Sequence, residues 1–99
     1  MFETDCNRMT RTLVTRLVMD GRSVSVSDED DERLLLPTCD ARAIVSCLSN
    51  TTSATLSVFG PDNIHLGDIS LDLENDDELY GENLNSNDEI EAIMETVWN

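Results

Sequence analysis

The stretch Arg11-Thr12-Leu13-Val14-Thr15-Arg16-Leu17-Val18-Met19-Asp20-Gly21-Arg22-Ser23-Val24-Ser25-Val26-Ser27 decides how the rest of the chain is read. Its second half alternates Ser and Val strictly, the period of a strand with one buried face. Its first half is rich in β-branched residues, with Leu13, Leu17 and Met19 on one parity and Thr15 between them. Asp20-Gly21 separates the halves, and a two-residue type I′ turn needs positive φ at both central positions, which Asp-Gly tolerates. The expectation is a β-hairpin of residues 11–19 against 23–27, with residues 1–9 fraying ahead of it.

Immediately downstream stands Asp28-Glu29-Asp30-Asp31-Glu32, five adjacent acids. Ordering them inside a strand would need counter-ions that the neighbouring sequence does not supply, so they are expected at a loop or hairpin tip. Arg33 to Leu36 reads as a short returning strand, ended by Pro37. Thr38 is the expected N-cap of a helix from Cys39 to Ser49. Ala41, Ile44, Val45 and Leu48 give that helix one apolar face, and Asp40 complements its dipole.

Ala54 to Phe59 is a further strand, and Gly60-Pro61-Asp62-Asn63 a turn. A longer strand follows over 64–74. Ile64 and Leu66 share one parity and Ile69, Leu71 and Leu73 the other, which predicts a β-bulge at Gly67. Asn75-Asp76-Asp77 makes a turn, and residues 78–83 an edge strand around Leu79 and Tyr80. Ser86 and Glu89 form a capping box before Ile90, Ile93, Met94 and Val97, so a terminal amphipathic helix is expected over 87–98. The order β-β-β-α-β-β-(β)-α predicts a single α+β domain over residues 1–99. Its antiparallel sheet has about five strands, and two helices pack on one face.

Charge is the most informative total. The chain holds 21 acids, six Arg and no Lys, for a net charge of −15. From residue 43 onward there are twelve acids and no Arg or Lys at all. Solubility of a small domain needs a net charge of only about 2–8 in magnitude, so the excess calls for a reason. Fifteen charges correspond to roughly 26 Å of duplex DNA, close to the span of a domain this size.

Catalysis finds little support. The lone His65 sits between Ile64 and Leu66 with no nucleophile motif beside it, and neither a P-loop nor a dinucleotide fingerprint is present. Residues 72–77 echo a calcium loop, but Asp77 stands where such a loop needs Gly and Asn83 where it needs a bidentate Glu. No enzyme activity, cofactor or metal is expected. Cys6, Cys39 and Cys47 are odd in number with no paired spacing, which fits free thiols in a reducing compartment. No signal peptide and no apolar run of ~18 residues is visible, and anionic membranes repel such a surface, so a cytoplasmic protein is expected.

The acids themselves remain. Asp68, Ser70, Asp72 and Glu74 are expected on one outward strand face, with Asp76, Asp77, Glu78 and Glu82 supplied by adjacent segments. Glu91 and Glu95 are like charges one turn apart on the terminal helix, an arrangement that costs a few tenths of a kcal/mol. With Asp28, Glu29, Asp30, Asp31 and Glu32 they make up the expected partner-binding set. An ordinary solvated face interleaves both signs, whereas this one has no basic member after residue 42.

In charge, size and the acid runs DEDDE and ENDDE, the whole chain resembles the small acidic DNA-mimic inhibitors of phages and other mobile elements, the anti-restriction and anti-CRISPR proteins. The resemblance rests on no shared motif, since such proteins have a strategy in common and not a fold. It implies a stoichiometric inhibitor that occupies the basic DNA- or RNA-binding surface of a host defence or nucleoid protein without binding nucleic acid itself. The competing expectation is a small adaptor or regulatory subunit, docking through the sheet edge or the terminal helix at residues such as Leu79, Tyr80 or Trp98. Adaptation to high salt is a third reading, and a homodimer stays open in each.

Overall fold

The computed structural model describes residues 4–98. Residues 11–19 do not form the expected strand. Helix α1 spans Asp5–Val18, and Cys6, Thr10, Leu13, Val14 and Leu17 are its buried residues, a 3.6-residue period. Thr10 conceals that period from a hydropathy reading. Though polar, it is buried, and its hydroxyl donates to the Cys6 carbonyl at 2.8 Å. Thr4 caps the helix by accepting from the Asn7 amide at 3.1 Å. Packing of the apolar stripe overrides the strand preference of the β-branched residues.

Asp20 and Gly21 do adopt positive φ, 62° and 84°. They lie in or at the end of a short 3-10 turn, Met19–Gly21, which redirects α1 into strand β1, Ser23–Ser27. The buried Arg22 closes the junction. Its guanidinium donates to the carbonyls of Leu17 at 2.9 Å and Arg16 at 3.0 Å, placing a cation at the negative end of the helix.

Strand β2 spans Arg33–Thr38 and pairs antiparallel with β1. Pro37 does not end it. Leu36 and Pro37 together face one β1 residue, and on the sheet edge a missing amide donor is tolerated at such a bulge. Helix α2, Ala41–Leu48, buries Ile44 and Leu48, with Ala41 and Val45 half-buried beside them. Its cap is Asp40, which accepts from the Arg42 and Ala43 amides, while Thr38 accepts from Asp40.

Strands β3 (Ser53–Phe59) and β4 (His65–Asp72) follow as an antiparallel pair. The bulge between them falls at Leu66, one residue before the expected position, since Val58 opposes Gly67 and Phe59 opposes His65. Strand β5, Tyr80–Asn83, pairs on the edge of β4, and helix α3 spans Asp88–Trp98. Asn87, not Ser86, caps α3. Its Oδ1 accepts from the Ile90 amide at 3.0 Å, whereas Ser86 sits at φ 53° outside the helix.

The element order is therefore α-β-β-α-β-β-β-α, an α+β fold with a five-stranded antiparallel sheet in the order β2-β1-β3-β4-β5. It carries three helices where two were expected, because the first expected strand is α1. Val24, Val26, Leu56, Val58, Ile69 and Leu71 point from the sheet into one core beneath the helices, where α1 touches both α2 and α3. Helix α3 lies close over β4 and β5. A Cβ on Gly67 would stand 2.9 Å from Ile90 Cδ1, and one on Gly81 would stand 2.9 Å from the Trp98 ring. No helix among the described residues is long and apolar enough to cross a membrane.

Candidate polyanionic surface

Strand pairing decides where the acids go. Ser27 at the end of β1 opposes Thr55 near the start of β3, and Ser53 opposes Asp72 at the end of β4. The DEDDE tip between β1 and β2 and the Glu74–Glu78 segment between β4 and β5 therefore leave the sheet at the same end. Their midpoints are three strand spacings apart, about 14 Å. The turn between α2 and β3 lies between them, tied to the second loop by Leu73 N–H donating to the Thr52 carbonyl at 2.9 Å.

Both loops are held by their own side chains. In the tip, Asp28 N–H donates to the Glu32 carbonyl at 2.9 Å and Asp31 N–H to the Asp28 carbonyl at 3.1 Å, with Asp31 at φ 62°. This is a type I turn followed by a left-handed residue, a common three-residue hairpin. The Asp28 carboxylate accepts from the Asp30 and Glu32 amides, both at 2.9 Å. Asp28 is thus spent on holding the turn, and Glu29, Asp30, Asp31 and Glu32 stand exposed. In the other loop Asp72 accepts from the Glu74 amide at 3.1 Å and Asn75 from the Asp77 amide at 2.8 Å, leaving Glu74, Asp76, Asp77 and Glu78 exposed. Loops fixed in this way lose little freedom when a partner arrives.

The loop carboxylates act on their neighbours. The Tyr80 phenol is pushed above its ordinary range by the charge of Glu78 and the hydrogen bond to it, with burial and Asp72 adding. The Cys6 thiol is raised mainly by burial; the Thr10 hydrogen bond opposes this, and Asp76 and Asp72 reinforce it. The start of α1 belongs to the same end, where Cys6 N–H donates to the Asp76 carbonyl at 3.0 Å.

The remaining expected site residues are dispersed. Asp68, Ser70 and Asp72 do share the outward face of β4, joined there by Glu82, which opposes Ser70 from β5. Glu74 lies beyond the end of that strand. Asp68 stands at the far end and is 3.0 Å from His65 Nε2. Glu91 and Glu95 are exposed on α3, in the helical layer, with Glu91 accepting from Asn83 Nδ2 at 3.2 Å. Of the six arginines, Arg22 lies at the α1–β1 junction and Arg33 opens β2 directly after the acidic tip. Arg8, Arg11 and Arg16 lie on α1 and Arg42 on α2, away from the sheet, with Arg8 paired to Asp5 at 3.1 Å.

His65 and Asp68 form the one histidine–carboxylate pair among the described residues, and no hydroxyl or thiol completes it into a nucleophile relay. A cleft of about 710 Å³ lies between α1, α2 and the Glu74–Asp76 loop, with Cys6, Arg11 and Leu48 on its walls. Among the described residues no three metal-ligating side chains converge. Comparison with protein-family models, curated proteins and solved structures finds no match.

Of the residues named for an adaptor surface, Leu79 is fully buried in the core. Trp98 packs under β5 and donates to the Leu79 carbonyl at 2.8 Å. Tyr80 alone of the three is exposed.

Proposed function

We propose that this chain is a non-catalytic, cytoplasmic inhibitor whose acid-rich end competes with nucleic acid for the basic surface of a host defence or nucleoid protein. The observation that carries this reading is the convergence of the DEDDE tip and the Glu74–Glu78 loop at one end of the sheet, each in a turn fixed by its own hydrogen bonds. The two acidic loops leave the sheet about 14 Å apart, a spacing comparable with the ~12 Å width of a major groove. A cationic groove shaped for a duplex meets a similar charge spacing, and arginine forks accept carboxylate in place of phosphate. Long-range attraction then speeds encounter.

The test is capture of basic proteins from host lysate on the immobilised chain, followed by elution with duplex DNA. The reading expects the retained nucleic-acid-binding protein to be released by DNA and by moderate salt. A variant carrying Glu29→Gln, Asp30→Asn, Asp76→Asn and Asp77→Asn, which spares the turn-forming Asp28 and Asp72, should retain little of it. Retention indifferent to DNA, salt and these substitutions would overturn the reading in favour of an adaptor docked through apolar residues.

A further inference from the structure

The two edges of the sheet differ in how they meet solvent. Strand β5 is four residues long and carries Glu82, features that discourage pairing with a further strand. Strand β2, at the other edge, runs six residues without a carboxylate in a chain of 21 acids. Its Leu34 and Leu36 are 42% and 70% exposed, and Leu36 is the most exposed large apolar side chain among the described residues.

Hydrogen-bond alternation leaves backbone groups open along that edge. Asp28 N–H donates to the Glu32 carbonyl, so Ser27 and Arg33 form the following non-hydrogen-bonded pair, and Arg33 turns its own N–H and C=O outward. One extra residue, Leu34, separates Arg33 from Leu35, which faces Val26, and the alternation returns Leu36 to the outward position. The Leu36 side chain lies opposite Ser25, on the face of the sheet away from the helices.

Charge selects the occupant. Arg33 directly follows five acids yet pairs with none of them among the described residues, and Asp40, just beyond the strand, pairs with no arginine there. Two β2 strands laid antiparallel about a two-fold axis at Leu36 set Leu36 against Leu36. Arg33 then faces the partner's Cys39, with the partner's Asp40 one position further on. The same axis turns each acidic tip toward the start of the partner's α2, where Arg42 stands exposed beside Asp40. It also holds the two tips about 40 Å apart, well beyond the Debye length of ~8 Å at physiological salt.

We propose that β2 pairs with β2 of a second copy of this chain, joining two five-stranded sheets into one across a two-fold axis at Leu36. Pro37, which has no amide to donate, and the register shifts keep the paired stretch short, so the dimer is a weak one with a dissociation constant of about 100 µM. Each copy uses its β2 edge once and its β5 edge resists pairing, so the assembly closes at two copies. The two acidic tips then point in opposite directions. The dimer stands whether or not those tips meet a cationic partner.

Sedimentation equilibrium of the full chain under reducing conditions, from about 10 µM to about 1 mM at roughly 0.15 M salt, reads the association. The weight-average mass should rise from 11.0 kDa toward twice that value. Leu36→Asp should weaken association about tenfold or more and Arg33→Ala about threefold, with circular dichroism unchanged. Leu36→Cys combined with Cys39→Ser should cross-link readily on mild oxidation, because directly opposite residues about 5.5 Å apart at Cα meet disulfide geometry. Cys39 of the parent chain should not, since its two copies lie six positions, about 20 Å, apart. A parent chain that stays monomeric at about 1 mM overturns the proposal, and so does association that Leu36→Asp leaves unchanged. If Leu36→Asp folds poorly, the oxidation arm decides: cross-linking as fast through Cys39 as through Leu36→Cys overturns the two-fold at Leu36.

Discussion

Arg22→Ala is the perturbation whose cost the structure specifies most fully. Four carboxylate or carbonyl groups surround the guanidinium, and they do not count equally. Asp20 at 3.8 Å and Glu89 at 3.7 Å are loose pairs whose carboxylates are 81% and 53% exposed, so each contributes only a few tenths of a kcal/mol. The Leu17 and Arg16 carbonyls, at 2.9 and 3.0 Å, receive charge-assisted hydrogen bonds at the end of α1, each worth about 1.5–3 kcal/mol. Removing the side chain leaves both carbonyls without their donor and takes a cation from the helix C-terminus. Solvent entering the vacated space recovers part of the loss, so the expected destabilisation is about 2–4 kcal/mol. Arg22→Lys keeps the charge but not the fork and should lose about half as much. Urea unfolding followed by circular dichroism, compared at equal slope, measures both. A loss under about 1 kcal/mol for Arg22→Ala would refute the assignment of Arg22 as the lock between α1 and β1.

Other substitutions follow from individual contacts. Asp28→Ala removes the carboxylate that holds the Asp30 and Glu32 amides and should destabilise by about 1–2 kcal/mol in the same unfolding assay, whereas Glu29→Gln should leave stability unchanged or raise it. Gly81→Ala forces a methyl against the Trp98 ring at 2.9 Å, so it should cost about 1–3 kcal/mol and shift the tryptophan fluorescence. A thiol-specific reagent should modify exposed Cys39 quickly and buried Cys6 only on unfolding. Burial raises the Cys6 and Cys47 thiols above their ordinary value of 9.0, so the native state holds these protons more tightly than the unfolded chain. Stability from this source is present below that pH and declines as pH rises through the raised values, which thermal melts across the alkaline range would show.

Much of the fold was legible because single elements carried their own patterns. The apolar face Ala41, Ile44, Val45 and Leu48 marked α2, the alternation in residues 54–59 marked β3, and Ile90, Ile93, Met94 and Val97 marked α3. Helix α1 was not legible, because Thr10 is a polar residue doing an apolar residue's packing and the Leu13–Met19 alternation imitates a strand. The Asp-Gly signal was sound about backbone conformation and misleading about context, since positive φ serves a helix exit as well as a hairpin. Asn87 displaced Ser86 as the α3 cap through contacts that no local motif records; it also donates from Nδ2 to the Leu66 carbonyl, 21 positions away.

The candidate site divides in the same way. That residues 28–32 form a tip was readable from the cost of ordering five like charges. That the tip shares an end with Glu74–Glu78 was not, because it depends on β3 lying between β1 and β4.

The decisive measurement is the salt dependence of affinity for a DNA-releasable partner, taken with the parent chain and with the four-fold loop variant. A polyanion substitute should lose affinity by roughly tenfold or more between about 50 and 200 mM salt, and the loop variant should show both weaker binding and a shallower slope. Parent and variant binding equally well at every ionic strength would contradict the account, because the acid end would then be solvent-facing charge and nothing more.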